Sequence, residues 1–535
     1  MKIWIRFLGG VALAALAATT ATASAANLDL IFAPWNSMAT PGCAIGIQQG
    51  GERVLAAFGA ANLEHSIPNS PSSIFEAGSV SKQFTAAAVL LLVQDGKLRL
   101  SDDIRQHLPE LPDFGAMITI DHLLTHTSGL RDWGTLATLE GWSRRNRAMG
   151  QADILAMVAR QRELNYPPGV EYSYTNTGYN LLAIIVERVS GQSFPDFSSE
   201  RIFKPLGLVS TSWRSDFRRI VKGRSVAYAK RGLVYEQDMP FEDAIGAGGL
   251  LTTVKDLLTW NAALNSRRLG RFVVEEMERN GALSNGRKIR YAHGLRTMSR
   301  GVIREVSHDG ATAGYRTWLA RFPEQKLSIA VLCNAADVGR SGLALGTRIA
   351  DQLLPPLPPP VDSGTPMPER AGQFVSASTG IPMVLVAENG ALRKQDAERL
   401  RVIGPDTLQA DDGVVRFEGN DRFTLEDIDG NLAVYNRMTS WTPGETALSQ
   451  VTGLYRSDEL DLSFAVTLRE GELFVQNQRR PMIIMRLHPT YEDAFLIDTS
   501  GLARLVRDGK GQVTELRIGM TNRVRNLRFV RAQGN

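Results

Sequence analysis

Phe75-Glu76-Ala77-Gly78-Ser79-Val80-Ser81-Lys82-Gln83-Phe84-Thr85 is the stretch from which the rest of the sequence can be read. After Gly78 the apolar residues Val80, Phe84, Ala87, Ala88, Leu91 and Leu92 recur at helical spacing, which predicts a buried helix. Ser79 falls in its first turn. Lys82, three residues on, shares the same face, where its amine can reach the Ser79 hydroxyl. A free hydroxyl is a weak nucleophile at neutral pH, and a neighbouring base at the positive end of a helix is a common way to activate one. Ser-x-x-Lys also describes an N-cap serine followed by a solvated lysine, so downstream residues must decide.

Three further motifs occur in order: His122-Leu123-Leu124-Thr125-His126-Thr127-Ser128-Gly129-Leu130, Tyr174-Thr175-Asn176 and His308-Asp309-Gly310. With Gly78-Ser79-Val80-Ser81-Lys82-Gln83-Phe84-Thr85 they resemble the penicillin-recognising serine hydrolases, on the branch of class C β-lactamases, D-aminopeptidases and related esterases. The resemblance covers roughly residues 30 to 350. It implies an α+β fold, an antiparallel sheet flanked by helices. It also implies a catalytic set of Ser79, Lys82 and Tyr174, with Asn176, His308, Gly310 and Ala311 binding substrate. In the family the tyrosine shuttles the nucleophile's proton with the lysine's help, and the asparagine contacts the lysine and the substrate amide. By the same resemblance the Ala311 and Ser79 amides form the oxyanion hole.

Tyr174 and Asn176 lie two residues apart on a segment read as extended, so their side chains leave one face. Tyrosine ionises at about 10 in water, so a base role needs a nearby cation, and Lys82 is the candidate. His308-Asp309-Gly310 is expected to open the strand lining the cleft, with Gly310 admitting substrate backbone. β-Lactamases carry lysine where this chain has His308. A mostly neutral imidazole attracts a substrate carboxylate less strongly, which shifts the reading from β-lactamase or carboxypeptidase to aminopeptidase or esterase. His122 and His126 have the i, i+4 spacing of a metal pair, but no glutamate or third ligand accompanies them, so they read as structural. Gly246-Ala247-Gly248-Gly249 lacks the lysine and hydroxyl of a phosphate loop and reads as a tight turn near the cleft. No metal and no cofactor are implied.

Residues 1–25 carry Lys2 and Arg6, an apolar run of 12 residues from Phe7, and Ala23-Ser24-Ala25, the layout of a signal peptide cleaved after Ala25. The run is shorter than the roughly 20 residues of a membrane span, so export to the periplasm or the medium is expected, with no membrane span. The formal charge of +4 falls to +2 without this leader, too little for a nucleic-acid footprint. Arg523, Arg525, Arg528 and Arg531, interleaved with apolar residues, read as one polar strand face. The expected partner is a small peptide, amide or ester substrate, with a homodimer left open.

Residues 43–48 and 53–58 around Gly50-Gly51 read as one hairpin, and 315–322 with 327–333 around Pro323-Glu324-Gln325 as a second. Helical patterns occupy 152–161, 179–189 and 253–264. The hydrolase domain therefore spans 26–353, and the run Leu354-Pro355-Pro356-Leu357-Pro358-Pro359-Pro360 opens a semi-rigid linker over 354–370. The remainder of the chain is strand-like and contains a repeat. Gly372-Gln373-Phe374 matches Gly453-Leu454-Tyr455, and Ile381, Met383, Leu385, Gly390 and Leu392 match Leu462, Phe464, Val466, Gly471 and Leu473 at the same offset. Asn389-Gly390, Asp429-Gly430, Glu470-Gly471 and Asp508-Gly509 mark turns between strands. Two small antiparallel β-barrels are expected, at 371–448 and 449–535, because closure removes exposed strand edges.

This layout resembles D-aminopeptidases, in which a loop of the last barrel enters the cleft. Here the segment 498–504 is short in comparison, which suggests a more open cleft. The same resemblance places the first strand beside the last, bringing Cys43 near Cys333, either bridged or as two buried thiols. The function implied is an acyl-enzyme serine hydrolase of amide or ester bonds, most D-aminopeptidase-like. The alternatives are a carboxylesterase of the same family or a catalytically silent binder of peptidoglycan fragments.

Overall fold

Strands Cys43–Gln49 and Leu327–Cys333 are apolar at nearly every position, the mark of a strand covered on both faces. In a computed structural model, which describes residues 27–142, 146–357, 367–395, 400–410, 413–498 and 501–532, both are interior, adjacent strands of a six-stranded antiparallel sheet. The leader at 1–25 and the linker portion 358–366 lie outside the described residues. The sheet order is Arg296–Arg300, Ile303–Thr312, Tyr315–Phe322, Leu327–Cys333, Cys43–Gln49, Glu52–Phe58. Ala44, Ala330 and Leu332 face the large core that includes helices Ser81–Gln94, Asn176–Ser190 and Val254–Asn265. Cys43, Ile45, Ile47, Ile329 and Val331 face the opposite layer, helices Leu28–Phe32 and Leu343–Leu353. A side chain at Gly46 would place its Cβ 2.9 Å from Leu258 Cδ1, so glycine there lets Val254–Asn265 lie against the strands.

Both hairpins and all three helical segments form where the sequence places them, within two or three residues. Cys43 and Cys333 are directly opposite in register and form a disulfide. The bridge closes a separation of 290 residues, for which chain entropy sets an upper bound of about 5 kcal/mol. The Cys43→Ala/Cys333→Ala double variant should therefore unfold several degrees lower in a thermal melt. An unchanged Tm would mean that the bridge contributes nothing to stability.

The C-terminal region forms two eight-stranded antiparallel sheets rather than one merged sandwich. The second, from Gly453–Ser457 to Val524–Arg531, is a closed barrel. The first, from Gly372–Ser376 to Leu432–Arg437, is a nearly closed barrel: its edge strands Ala391–Lys394 and Arg401–Gly404 form no ladder among the described residues, but Leu400 N donates to Leu392 O (2.9 Å) across the seam. The repeat is physical. Each first strand begins at its matched glycine, Gly372 at φ +144° and Gly453 at φ +148°. In each, an arginine of the last strand donates to the carbonyl before that glycine, Arg437 to Ala371 O (2.8 Å) and Arg531 to Thr452 O (2.6 Å). The same guanidinium packs over the buried Phe374 or Tyr455 ring.

Candidate active site

Strand Phe75–Glu76 pairs with Leu250–Thr252 and leads into a 3₁₀ turn, Gly78–Val80, that runs directly into the buried helix Ser81–Gln94. Glu76 is anchored there by Arg214 and Arg224 in a buried ion cluster. Ser79 is half-buried on the turn. Lys82, fully buried one turn on, donates from Nζ to Asn176 Oδ1 (2.9 Å) and Ala247 O (2.7 Å) and lies 3.2 Å from Ser79 Oγ. The glycine-rich turn 246–249 thus supplies a carbonyl to the lysine.

Gly78, at φ +51°, and Gly310 bring two backbones together. A Cβ on Gly310 would lie 2.3 Å from Ala77 O and 3.0 Å from Ser79 N, and one on Gly78 would lie 2.8 Å from Ala311 N. Gly310 therefore admits the chain's own Ser79 turn, where the sequence suggested substrate backbone. Ser79, Ala311, Asn176, Gly248 and Thr312 line a small cavity of about 40 Å³. It shares Asn176, Trp133 and Glu242 with a larger one of about 510 Å³.

Tyr174 is in a loop and Asn176 is the first residue of helix Asn176–Ser190, capped by Thr175. Thr175 between them is extended, at φ −138° and ψ 140°, but Asn176 already belongs to the helix. Tyr174 and Asn176 converge because both surround Lys82, whose amine is 4.8 Å from the Tyr174 ring centre. The Tyr174 hydroxyl is shielded from solvent and makes no hydrogen bond of ordinary geometry, although the Ser79 hydroxyl is near. Burial raises its pKa. Ser79, Arg296 and Arg523 oppose that rise without cancelling it.

His308 lies in the second half of strand Ile303–Thr312, not at its start, and is buried. It lines neither of these two cavities at Ser79. Its Nδ1 faces Asp309 O (2.6 Å) and must carry the proton, so Nε2 accepts from the Tyr291 hydroxyl (2.9 Å). Burial and the Arg296 charge push its pKa down to about 3, so it is neutral at physiological pH.

The two histidines of the 122–130 motif are structural in position. His122 Nδ1 accepts from Thr119 N and completes a helix capping box. His126, at φ +58° and fully buried, grips both sides of Tyr174: its carbonyl accepts from Ser173 N (3.0 Å), and its Nδ1 accepts from Thr175 N (3.3 Å). Its ring packs on Tyr174 at 4.3 Å.

Sequence reasoning missed how far the C-terminal modules enter this site. The Asp429-Gly430 turn of the first docks against Tyr172 and Arg296. Asp429 accepts from the Tyr172 hydroxyl (2.9 Å), and Arg296 bridges Asp429 to Asp309. The last barrel inserts the turn between Val513–Met520 and Val524–Arg531, so Met520, Thr521 and Arg523 line the large cavity. The 498–504 segment, part of which lies outside the described residues, is therefore the wrong loop from which to judge the cleft. The arginine run is likewise not one polar face. Arg523 is in that turn, Arg525 is buried against Glu171 of the hydrolase domain (2.9 Å), and Arg528 pairs with Glu515. A buried Arg131–Glu459 pair also joins the barrel to the hydrolase domain.

At the first module's turn, burial and the charge of Asp429 push Asp427 up to about 6. A carboxyl raised above its unfolded value contributes stability that is full below about pH 3.8 and is lost as pH rises through 6. Asp427 Oδ1 accepts from Asp429 N and Asn431 N, a role that an asparagine oxygen can keep. Asp427→Asn should gain Tm over wild type, with a gain that grows between pH 4 and 6 and is level above. A pH-independent gain in paired melts would contradict this.

The sequence profile of the Beta-lactamase family matches residues 29–354, and the chain belongs to that family. It is a serine hydrolase of the β-lactamase fold. A D-aminopeptidase of Cereibacter sphaeroides is 26% identical over 510 residues, covering 90% of this chain and 94% of the relative. Penicillin-binding protein 4* of Bacillus subtilis is 33% identical over 301 residues, 52% of this chain and 65% of the relative. The octameric penicillin-binding protein homologue from Pyrococcus abyssi superposes with a TM-score of 0.54 over 92% of this chain and 96% of its own, at 21% identity, which speaks to fold alone.

Proposed function

We propose that this chain is an exported, D-aminopeptidase-like amidohydrolase that also cleaves short esters, working through an acyl-enzyme on Ser79. The observation that carries this reading is the Lys82 amine 3.2 Å from Ser79 Oγ, with two shorter contacts occupying its other directions. In the free-base form those contacts take two N–H groups, and the lone pair faces the Ser79 hydroxyl. Ser79 Oγ attacks the carbonyl carbon as its proton passes to Lys82. The amides of Ser79 and Ala311 hold the oxyanion, and the proton reaches the departing nitrogen or oxygen through Tyr174. Water then hydrolyses the acyl-enzyme by the same route reversed. Because burial keeps Tyr174 protonated, it begins as a proton relay rather than a resting phenolate. The similarity to D-aminopeptidases over nearly the whole chain supports the substrate class, and the leader-like segment with the Cys43–Cys333 bridge supports export.

The test is a side-by-side assay of D-alanine p-nitroanilide, p-nitrophenyl butyrate and nitrocefin. The anilide and the ester should turn over and exceed nitrocefin, because His308 is neutral and buried, and the last barrel's turn occupies the cleft wall. Efficient nitrocefin hydrolysis with no anilide cleavage would overturn the assignment.

A further inference from the structure

The large cavity beside Ser79 has an uneven lining. Trp133, Trp142, Met149, Met239 and Met520 give it an apolar wall. Its charged groups are nearly all engaged. Arg147 pairs with Asp153 and lies over Trp142, Glu242 pairs with Arg214, and the Asp132 carboxylate accepts from Asn176 N (2.8 Å) and Thr135 N (3.0 Å). Arg523 is the exception. Its backbone carbonyl is held by Asp132 N and Asn165 Nδ2, which fixes the residue in place. Its guanidinium lies 5.2 Å from the Tyr174 ring centre and, among the described residues, has no ion pair and donates no side-chain hydrogen bond. The guanidinium is half-buried at the cavity wall, and its planar fork of five donors fits a carboxylate.

We propose that Arg523, carried into the cleft by the last barrel, binds a carboxylate on the departing fragment of the substrate. The enzyme would then select amides and peptides whose leaving group is an apolar amino acid with a free acid terminus. The side of the scissile bond is set by Tyr174. In the acyl-enzyme mechanism, on which this inference rests, Tyr174 hands the proton to the departing atom, and Arg523 covers the Tyr174 ring. The apolar wall beside it suits the departing residue's side chain. The selectivity of the hydrolase domain would thus be set by a residue some 440 positions after the nucleophile, in a separate module.

Calorimetric titration of the full chain with D-norleucine and with D-norleucinamide tests this without requiring turnover. Wild type should bind the acid about ten- to hundredfold more tightly than the amide, the scale of one charge-assisted contact. Arg523→Gln should abolish the preference, and Arg523→Lys should keep part of it. Equal binding of acid and amide by wild type, a preference that survives Arg523→Gln, or binding of neither compound would each overturn the proposal. A kinetic arm separates this idea from the functional reading beneath it. Wild type should hydrolyse D-Ala-D-Leu faster than its C-terminal methylamide, which shares the scissile bond, and Arg523→Gln should collapse that ratio. If neither peptide is cleaved while the calorimetric preference holds, the peptidase reading fails and the Arg523 contact stands. If both are cleaved with a ratio indifferent to residue 523, the reverse is true.

Discussion

Ser79→Ala should abolish turnover of every substrate that wild type cleaves and should abolish labelling by a fluorophosphonate, while the protein still folds. The hydroxyl is the one group on the Gly78–Val80 turn placed to attack a carbonyl held by the Ser79 and Ala311 amides. Removing it leaves an oxyanion site with nothing to acylate. The substitution deletes one half-buried oxygen, and the turn is held by Glu76, Gly78 and Gly310 rather than by the serine side chain, so Tm should move by no more than a few degrees. Retained turnover above about a thousandth of wild type, measured on p-nitrophenyl butyrate with a folded variant, would place the nucleophile elsewhere. Loss of labelling distinguishes this from the silent-binder alternative, which predicts no labelling of wild type either.

Lys82→Ala should lower kcat by roughly a hundredfold or more, the usual scale for losing a proton-transfer partner. Tyr174→Phe should do the same with less effect on stability. Lys82 combines two roles: it is the group nearest the Ser79 proton, and it is a cation close to Tyr174. Its removal also strands Asn176 Oδ1 and Ala247 O without a donor, at a cost of about 1–3 kcal/mol each if water does not replace it. Lys82→Arg would restore charge but not the compact amine, and a guanidinium cannot give up its proton, so no rescue is expected. Tyr174→Phe separates the two effects, since the Tyr174 hydroxyl makes no ordinary hydrogen bond and its loss leaves nothing unpaired. Near-wild-type kcat in Tyr174→Phe would remove the tyrosine from the proton path and leave Lys82 alone.

Neutral His308 bears on both experiments. With its pKa near 3, it should not contribute an ionisation to the pH–rate profile between about 5 and 9.

Local chemistry made much of this molecule legible in its sequence. The periodicity after Gly78 marked a buried helix, and one helical turn fixes Ser79 beside Lys82 whatever the rest of the chain does. Apolar stretches around Gly50-Gly51 and Pro323-Glu324-Gln325 marked the two hairpins. A matched glycine and aromatic at a constant offset marked two sibling β-modules. What the sequence could not specify was where distant segments meet. Tyr174 and Asn176 converge by surrounding the Lys82 amine, and Gly310 proved to be a packing glycine because its neighbour in space is the Ser79 turn. The turns at Asp429-Gly430 and Thr521-Asn522-Arg523 are of a kind that residue chemistry can announce. Their docking against Arg296 and Tyr174 depends on how whole modules pack, and pairs more than 130 residues apart leave no periodic trace in the chain. Local propensity is encoded within a few residues, whereas the electrostatics of the cleft arise from buried charges that only the tertiary fold brings together.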